Sequence, residues 1–215
     1  MVQDQEPTQE PRVLETEQAT QAHSREDLAE RTKDLDADTK MFISNAGFDL
    51  ESLIRRWKGK RDSWEEIKGK KVLDLASGSA AASKWQPYFA RLCANNGALV
   101  TVVDKLPQVG RDKELFRGIT TDLVLTVMGE NLAEVVGQEE YDVVHSINFI
   151  GASPSPELLQ ELRVLHIKEE DFHMAFSRQA FSLLAEGGVM YLDERDPAKS
   201  EDIYYTKKEG TLVRL

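Results

Sequence analysis

From residue 70 onward, short uninterrupted apolar runs alternate with longer segments of helical periodicity, and this alternation constrains the fold more than any other feature of the chain. The runs are KKVLDLA (70–76), ALVTVVD (98–104), GITTDLVL (118–125), YDVVHSINFI (141–150) and VMYLDE (189–194). A strand that is apolar at successive positions is buried on both faces, which is the signature of a parallel sheet. The stretches between them read as helices: Ser83 to Cys93, closed by Asn95-Asn96-Gly97; NLAEVVGQ (131–138); Pro156 to Leu165; and Glu169 to Ala185, closed by Gly187-Gly188. The end of the chain, IYYTKKEGTLVRL (203–215), reads as two strands around a tight turn. Together these predict a three-layer, doubly wound α/β fold, with a mostly parallel seven-stranded sheet and a C-terminal antiparallel hairpin.

Ahead of this region the texture is different. Residues 1–38 are rich in Glu, Gln, Asp and Thr, and lack the apolar anchors that offset ordering entropy, so they read as a disordered acidic and polar leader. The folded domain is expected over 39–215. Its first part, from Met41 to Trp57, has apolar residues at helical spacing, interrupted by Gly47, and predicts one or two helices packed on the sheet. The formal net charge of −11 disfavours a nucleic-acid backbone as partner. A single cysteine, Cys93, leaves no intrachain disulfide and no cysteine-rich zinc site, and the four histidines show no metal-ligand spacing. No signal-like start or membrane-length apolar stretch is present, so the expected location is cytoplasmic, with no membrane partner and no metal.

The chemistry gathers where the first three strands end. The first runs into Asp74, Ala76, Ser77, Gly78, Ser79 and Ala80, small residues that let backbone approach a ligand closely. In open α/β sheets, ligands bind beyond the carboxyl ends of the strands, where this loop falls. Asp104 closes the second strand 26 residues after Gly78, where a carboxylate can accept hydrogen bonds from two ribose hydroxyls. Asp122, in or just after the third strand, is placed to accept from an adenine amino group.

These residues resemble the class I S-adenosylmethionine-dependent methyltransferases, whose signature is an apolar strand ending in an acid and a loop of alternating glycines. VLDLASGSA supplies Asp74 and Gly78, with Ala76 and Ala80 in two glycine positions. TVVDK supplies Asp104 and Lys105, and the third-strand segment supplies Asp122 and Leu123. The resemblance covers about residues 40 to 215. It implies S-adenosyl-L-methionine as cofactor, held by Asp74, Ala76, Ser77, Gly78, Ala80, Asp104, Lys105, Asp122, Leu123 and Asn148. It also implies methyl transfer to a small-molecule acceptor, with Asn148 at the mouth of the fourth strand as the catalytic candidate. The fourth strand lacks the Asn-Pro-Pro-aromatic motif of families that methylate exocyclic or amide nitrogens. Only about a dozen residues separate Asp104 from the third strand, so the helix between them is expected to be short.

Two other functions fit the same architecture. One is a non-catalytic adenosyl-ligand-binding or interaction protein that keeps the fold. The other is an NAD-dependent oxidoreductase, which an acid at the mouth of the first strand opposes by repelling a pyrophosphate, whereas the cationic amino group of S-adenosylmethionine would be attracted to it. His145, inside an apolar run, reads as a buried, hydrogen-bonded core histidine, and Cys93 and Trp85 read as packing residues.

Overall fold

In the computed structural model, which describes residues 37–60, 63–81, 86–147, 149–150, 154–196 and 201–215, the apolar runs form the sheet expected of them. Among the described residues seven strands lie in the order β3-β2-β1-β4-β5-β6-β7. They are β1 (Lys71–Leu75), β2 (Leu99–Asp104), β3 (Arg117–Thr120), β4 (Tyr141–His145), β5 (Leu184–Asp196), β6 (Glu201–Lys208) and β7 (Thr211–Arg214). The first five pair in parallel; β6 is antiparallel to β5, and β7 to β6. The hairpin closes through Glu209 and Gly210, both at positive φ (52° and 70°), the pattern of a two-residue turn that matches strand twist.

The helices are α1 (Ala37–Lys58), α2 (Tyr88–Asn95), α3 (Asp112–Leu115), α4 (Leu123–Met128), α5 (Leu132–Val136), α6 (Pro156–Val164) and α7 (Glu169–Ser182), with one 3-10 turn at Trp64–Ile67. The chain divides into compact units at Asn45, and the described part of the first, residues 37–44, is helical. Helix α1 runs without a break through Gly47. Trp85, Asn148 and the connection 197–200 lie outside the described residues, as does the leader up to residue 36.

Within Asn45–Leu215, helices cover both faces of the sheet. On one face Ala46, Leu50, Leu53 and Ile54 of α1, at helical spacing, are buried, as are Phe89, Ala90 and Cys93 of α2. The core there joins them to Val72, Val100, Val102, Val143 and Val189. On the other face α4 to α7 cover Leu73, Leu75, Val103, Val144, Met190 and Leu192, with Phe172 and Phe176 at the centre. Each such side chain contributes about 1.5–3 kcal/mol relative to exposure. Gln179, also buried, links three helices: its Oε1 accepts from Leu132 N at 3.0 Å, capping α5, and its Nε2 donates to Val127 O in α4.

Three expectations are corrected. The fourth strand, expected over 141–150, stops at His145, and Ser146 and Ile147 lie outside it. The third strand stops at Thr120, because Asp122 caps a helix: its side chain accepts from Leu125 N at 3.1 Å, so the run from Leu123 to Met128 coils. The Gly187-Gly188 pair does not end a helix. Helix α7 ends at Ser182, and β5 begins at Leu184, opposite Tyr141; the register then jumps, with Val143 facing Val189. The glycines sit in this irregularity. A Cβ on Gly188 would come within 2.9 Å of the Ala185 and Asp142 carbonyl oxygens, so no side chain fits there. The one-turn α3 between β2 and β3 is as short as expected, and Arg91 of α2 pins it with bonds of 2.8 and 2.7 Å to Asp112.

Candidate functional site

The strand order runs outward from β1 in one direction through β2 and β3, and from β4 in the other through β5. The connections thus diverge between β1 and β4, the switch point where open α/β sheets bind ligands beyond their carboxyl ends. Two groups of residues meet there.

The first is the pair of loops after β1 and β2. Ala76 (φ 57°) and Gly78 (φ 87°) both adopt left-handed backbone, turning the chain sharply as it leaves β1. Asp104 holds that turn: its Oδ2 accepts from Gly78 N and its Oδ1 from Leu106 N, each at 2.9 Å. Gln108 donates to Gly78 O at 2.9 Å, and Ser79 donates to Pro107 O at 2.6 Å. Ser77 and Ala80 complete the loop, Ser77 partly buried and Ala80 exposed. An ionised carboxylate offers about four acceptor positions, so Asp104 keeps roughly half of its capacity after these bonds. Along the rim, Lys105 reaches both Asp122 (3.1 Å) and Glu161 (2.8 Å), tying the ends of β2 and β3 to α6. Leu123 is the first residue of α4, where a backbone N–H has no intrahelical acceptor.

The second group lies on the α1/α2 face. Register places Asp74 beside His145, His145 beside Tyr191, and Tyr191 beside Tyr204, one row across four strands. Asp74 is 2% exposed and His145 1%. Their side chains bond, Asp74 Oδ1 to His145 Nδ1, at 2.8 Å. The Ala90 N–H at the start of α2 also bonds to Asp74. Phe89 stacks on the imidazole with centroids 3.6 Å apart, and Tyr191 stacks on Tyr204 at 4.8 Å. Burial pushes the Asp74 carboxyl up, against the pull of His145. With Asp74 ionised, the imidazole hydrogen belongs on Nδ1, which leaves Nε2 as an acceptor. That Nε2 is buried and finds no hydrogen-bond partner among the described residues.

Asp49 of α1 belongs to this second group. Burial raises its carboxyl to about 6; His145 lowers it, while Asp202, Asp193 and Asp74 add to the rise. Asp193, 5% exposed and at φ 54°, sits where the β5–β6 register shifts, and Tyr191 donates to it at 3.3 Å.

The structure thus brings Asp104, Gly78 and the small-residue loop together, with Lys105 and Asp122 on the adjoining rim. It places Asp74 beneath the loop, facing His145 rather than solvent. His145 is the buried, hydrogen-bonded histidine expected, and Cys93 is buried, its thiol pushed up by desolvation. Sequence reasoning missed Asp49, Gln108 and Glu161. Asp49 carried a signal: it stands three residues after Ala46 and four before Leu53, a carboxylate on the apolar stripe of a helix. Gln108, in an irregular loop, carried none.

No protein-family model and no curated protein matches the chain. Among solved structures it is similar to the MycE methyltransferase of mycinamycin biosynthesis in complex with magnesium and S-adenosylhomocysteine, at 14% identity and TM-score 0.42. The match covers 71% of this chain and 41% of that one, so the chain spans less than half the length of MycE. A TehB-like S-adenosylmethionine-dependent methyltransferase from Corynebacterium glutamicum is 16% identical, covering 68% of this chain and 72% of its own, with TM-score 0.38. A putative protein-L-isoaspartate O-methyltransferase from Plasmodium falciparum, in complex with S-adenosylhomocysteine, is 19% identical, covering 71% and 65%, with TM-score 0.41. No described helix is long and apolar enough to cross a membrane.

Proposed function

We propose that the chain binds S-adenosylmethionine at the ends of β1 and β2 and transfers its methyl group to a small-molecule acceptor. The observation that carries this reading is Asp104. It ends β2 beside the switch point, is fixed by two backbone N–H groups, and keeps acceptor capacity for a ribose diol. Around it, Ala76, Ser77, Gly78 and Ala80 present little side-chain bulk to a cofactor. Asp122, with Lys105 as its neighbour, would take the adenine amino group, and the Leu123 N–H would meet the ring. Asn148, from the expected mouth of the fourth strand, is retained as a residue that meets cofactor or acceptor.

When bound, the cofactor supplies a methyl group on a sulfonium, already a good leaving group. What remains for the protein is alignment and exclusion of water. The core under the site supports both, since strands and buried side chains fix the loop from below. A dinucleotide fits less well. A phosphate cradle needs free backbone N–H groups, and the Gly78 N–H is already taken by Asp104.

Binding of S-adenosylhomocysteine tests this. It is expected to raise the melting temperature, as any ligand of the native state does, whereas NAD gives no comparable shift. Asp104→Ala is expected to lower affinity by about tenfold or more, the scale of lost hydrogen bonds to a charged group. A shift with NAD alone, or unchanged affinity in folded Asp104→Ala, would refute the assignment.

A further inference from the structure

The loops that follow β1 and β2 are joined by a series of hydrogen bonds. Ala76 N donates to Val103 O at 2.8 Å and Gly78 N to Asp104 Oδ2 at 2.9 Å; Gln108 Nε2 then donates to Gly78 O at 2.9 Å, and Ser79 Oγ to Pro107 O at 2.6 Å. Gly78 is therefore held on both sides, its N–H by the carboxylate that ends β2 and its C=O by a carboxamide from the loop beyond. Both peptide groups flanking its φ of 87° are fixed.

Gln108 is bonded at one end only. It is 5% exposed, and its Oε1 is buried without a partner among the described residues. A buried oxygen left unpaired costs about as much as a hydrogen bond made elsewhere returns. The carboxamide of Gln108 thus adds little to stability on balance, unlike that of Gln179, which is bonded at both ends. The stem of Gln108 rests on β3. There Gly118 stands opposite Val102, and a Cβ on it would come within 2.8 Å of Gln108 Cγ and 3.1 Å of Gln108 Cβ. Gly118 is not among the glycines at positive φ, so this position uses the missing side chain rather than backbone freedom.

We propose that Gln108 is a positioning residue for ligand binding at the β1 loop, kept for the conformation it imposes on Gly78, and that Gly118 sets it by leaving room for its stem. This rests on the reading that S-adenosylmethionine binds at this loop. A loop already held in its binding shape loses little freedom when the ligand arrives, and affinity rises accordingly. Affinity is then governed from β3, through Gln108 and Gly78 in turn.

The full chain is compared with Gln108→Met, Gly118→Ala and Gln108→Glu by thermal melting, hydrogen exchange at the Gly78 amide and calorimetric titration with S-adenosylhomocysteine. Methionine keeps the length of glutamine while removing both the donor and the unpaired oxygen. Gln108→Met is expected to melt within about 3 °C of the parent, since one unmade bond replaces another. It is also expected to speed exchange at Gly78 and to weaken S-adenosylhomocysteine by about tenfold, the scale of one or two loop residues set free. Gly118→Ala, which displaces the stem, is expected to move exchange and affinity in the same direction. In Gln108→Glu burial raises the new carboxyl, and only its protonated form has an O–H to give to Gly78 O. Affinity relative to the parent is therefore expected to recover as pH falls from about 8 to about 5.

A Gln108→Met protein that melts many degrees lower would reveal an ordinary core bond and overturn the proposal. Parental exchange and affinity in folded Gln108→Met would overturn it too, and parental exchange in Gly118→Ala would remove the part given to β3. Should Gly118→Ala fail to fold, the two Gln108 variants decide. If the parent does not bind S-adenosylhomocysteine while Gly78 exchange responds as expected, the hold on the loop stands and the cofactor reading falls.

Discussion

Asp49→Asn should make the protein more stable, and by an amount that grows with pH. The Asp49 carboxyl is raised by burial from its ordinary 3.8 to about 6 in the folded chain. Protonation therefore favours the native state. The stabilising effect is complete below pH 3.8 and is lost as pH rises through the folded value near 6. A shift of about two units corresponds to roughly 3 kcal/mol of penalty at pH 8, about half of it already present at pH 5. Asparagine has nearly the same shape and never ionises, so it removes the penalty at every pH. The advantage of the variant should then widen by about 1.4 kcal/mol between pH 5 and pH 8, and by less where solvent reaches the partly exposed carboxylate. Urea melts of both proteins, followed by tryptophan fluorescence, measure the difference at each pH. An advantage that does not change with pH, or a variant less stable than the parent at pH 8, would show that Asp49 is better solvated or better partnered than its setting implies.

Two further substitutions probe the scaffold. Ala76 holds a left-handed φ of 57°, a conformation that disfavours any residue with a Cβ by about 1–2 kcal/mol. Ala76→Gly relieves this, less about 0.4–1 kcal/mol of extra unfolded-chain freedom, so calorimetry should show a rise of about 2 °C, and a fall would refute the strain. Gln179→Met removes the partners of Leu132 N–H and Val127 C=O together, and should destabilise by about 3 kcal/mol in denaturant unfolding; an unchanged midpoint would show that other groups satisfy them.

Local signals made most of the architecture legible. The run ALVTVVD became β2 but for its first residue, and Ser155 with Pro156 opens α6 as a cap followed by a helix-compatible proline should. Where the reading failed, two local rules competed. In the segment from Ile119 to Leu125, β-branched residues argued for strand while Asp122 argued for a helix cap, and the cap prevailed. At Gly187-Gly188 the glycines marked a register shift within β5 rather than a helix end, since both uses exploit the same backbone freedom. In the site, the placement of Asp104 and Gly78 was legible because it follows from where strands end. The bond between Asp74 and His145 was not: 71 residues separate them, and only the β1–β4 register makes them neighbours.

The hairpin of β6 and β7 gives the site a timetable. Strands β1 to β5 leave the ribosome first, and their pairing already brings Asp74 beside His145, but Tyr204 and Asp202 arrive only when residues 201–215 add to the flank of β5. A peripheral antiparallel pair is a unit that can open on its own, at less free energy than the whole domain. Each such opening would uncover Tyr191 and let water toward the imidazole, while the loop gripped by Asp104, on the far side of β1, keeps its shape. The loop after β1 and the row across β1, β4, β5 and β6 would then have separate lifetimes in one domain. A weakened hairpin would yield a domain in which the loop held by Asp104 persists while the row from Asp74 to Tyr204 comes apart.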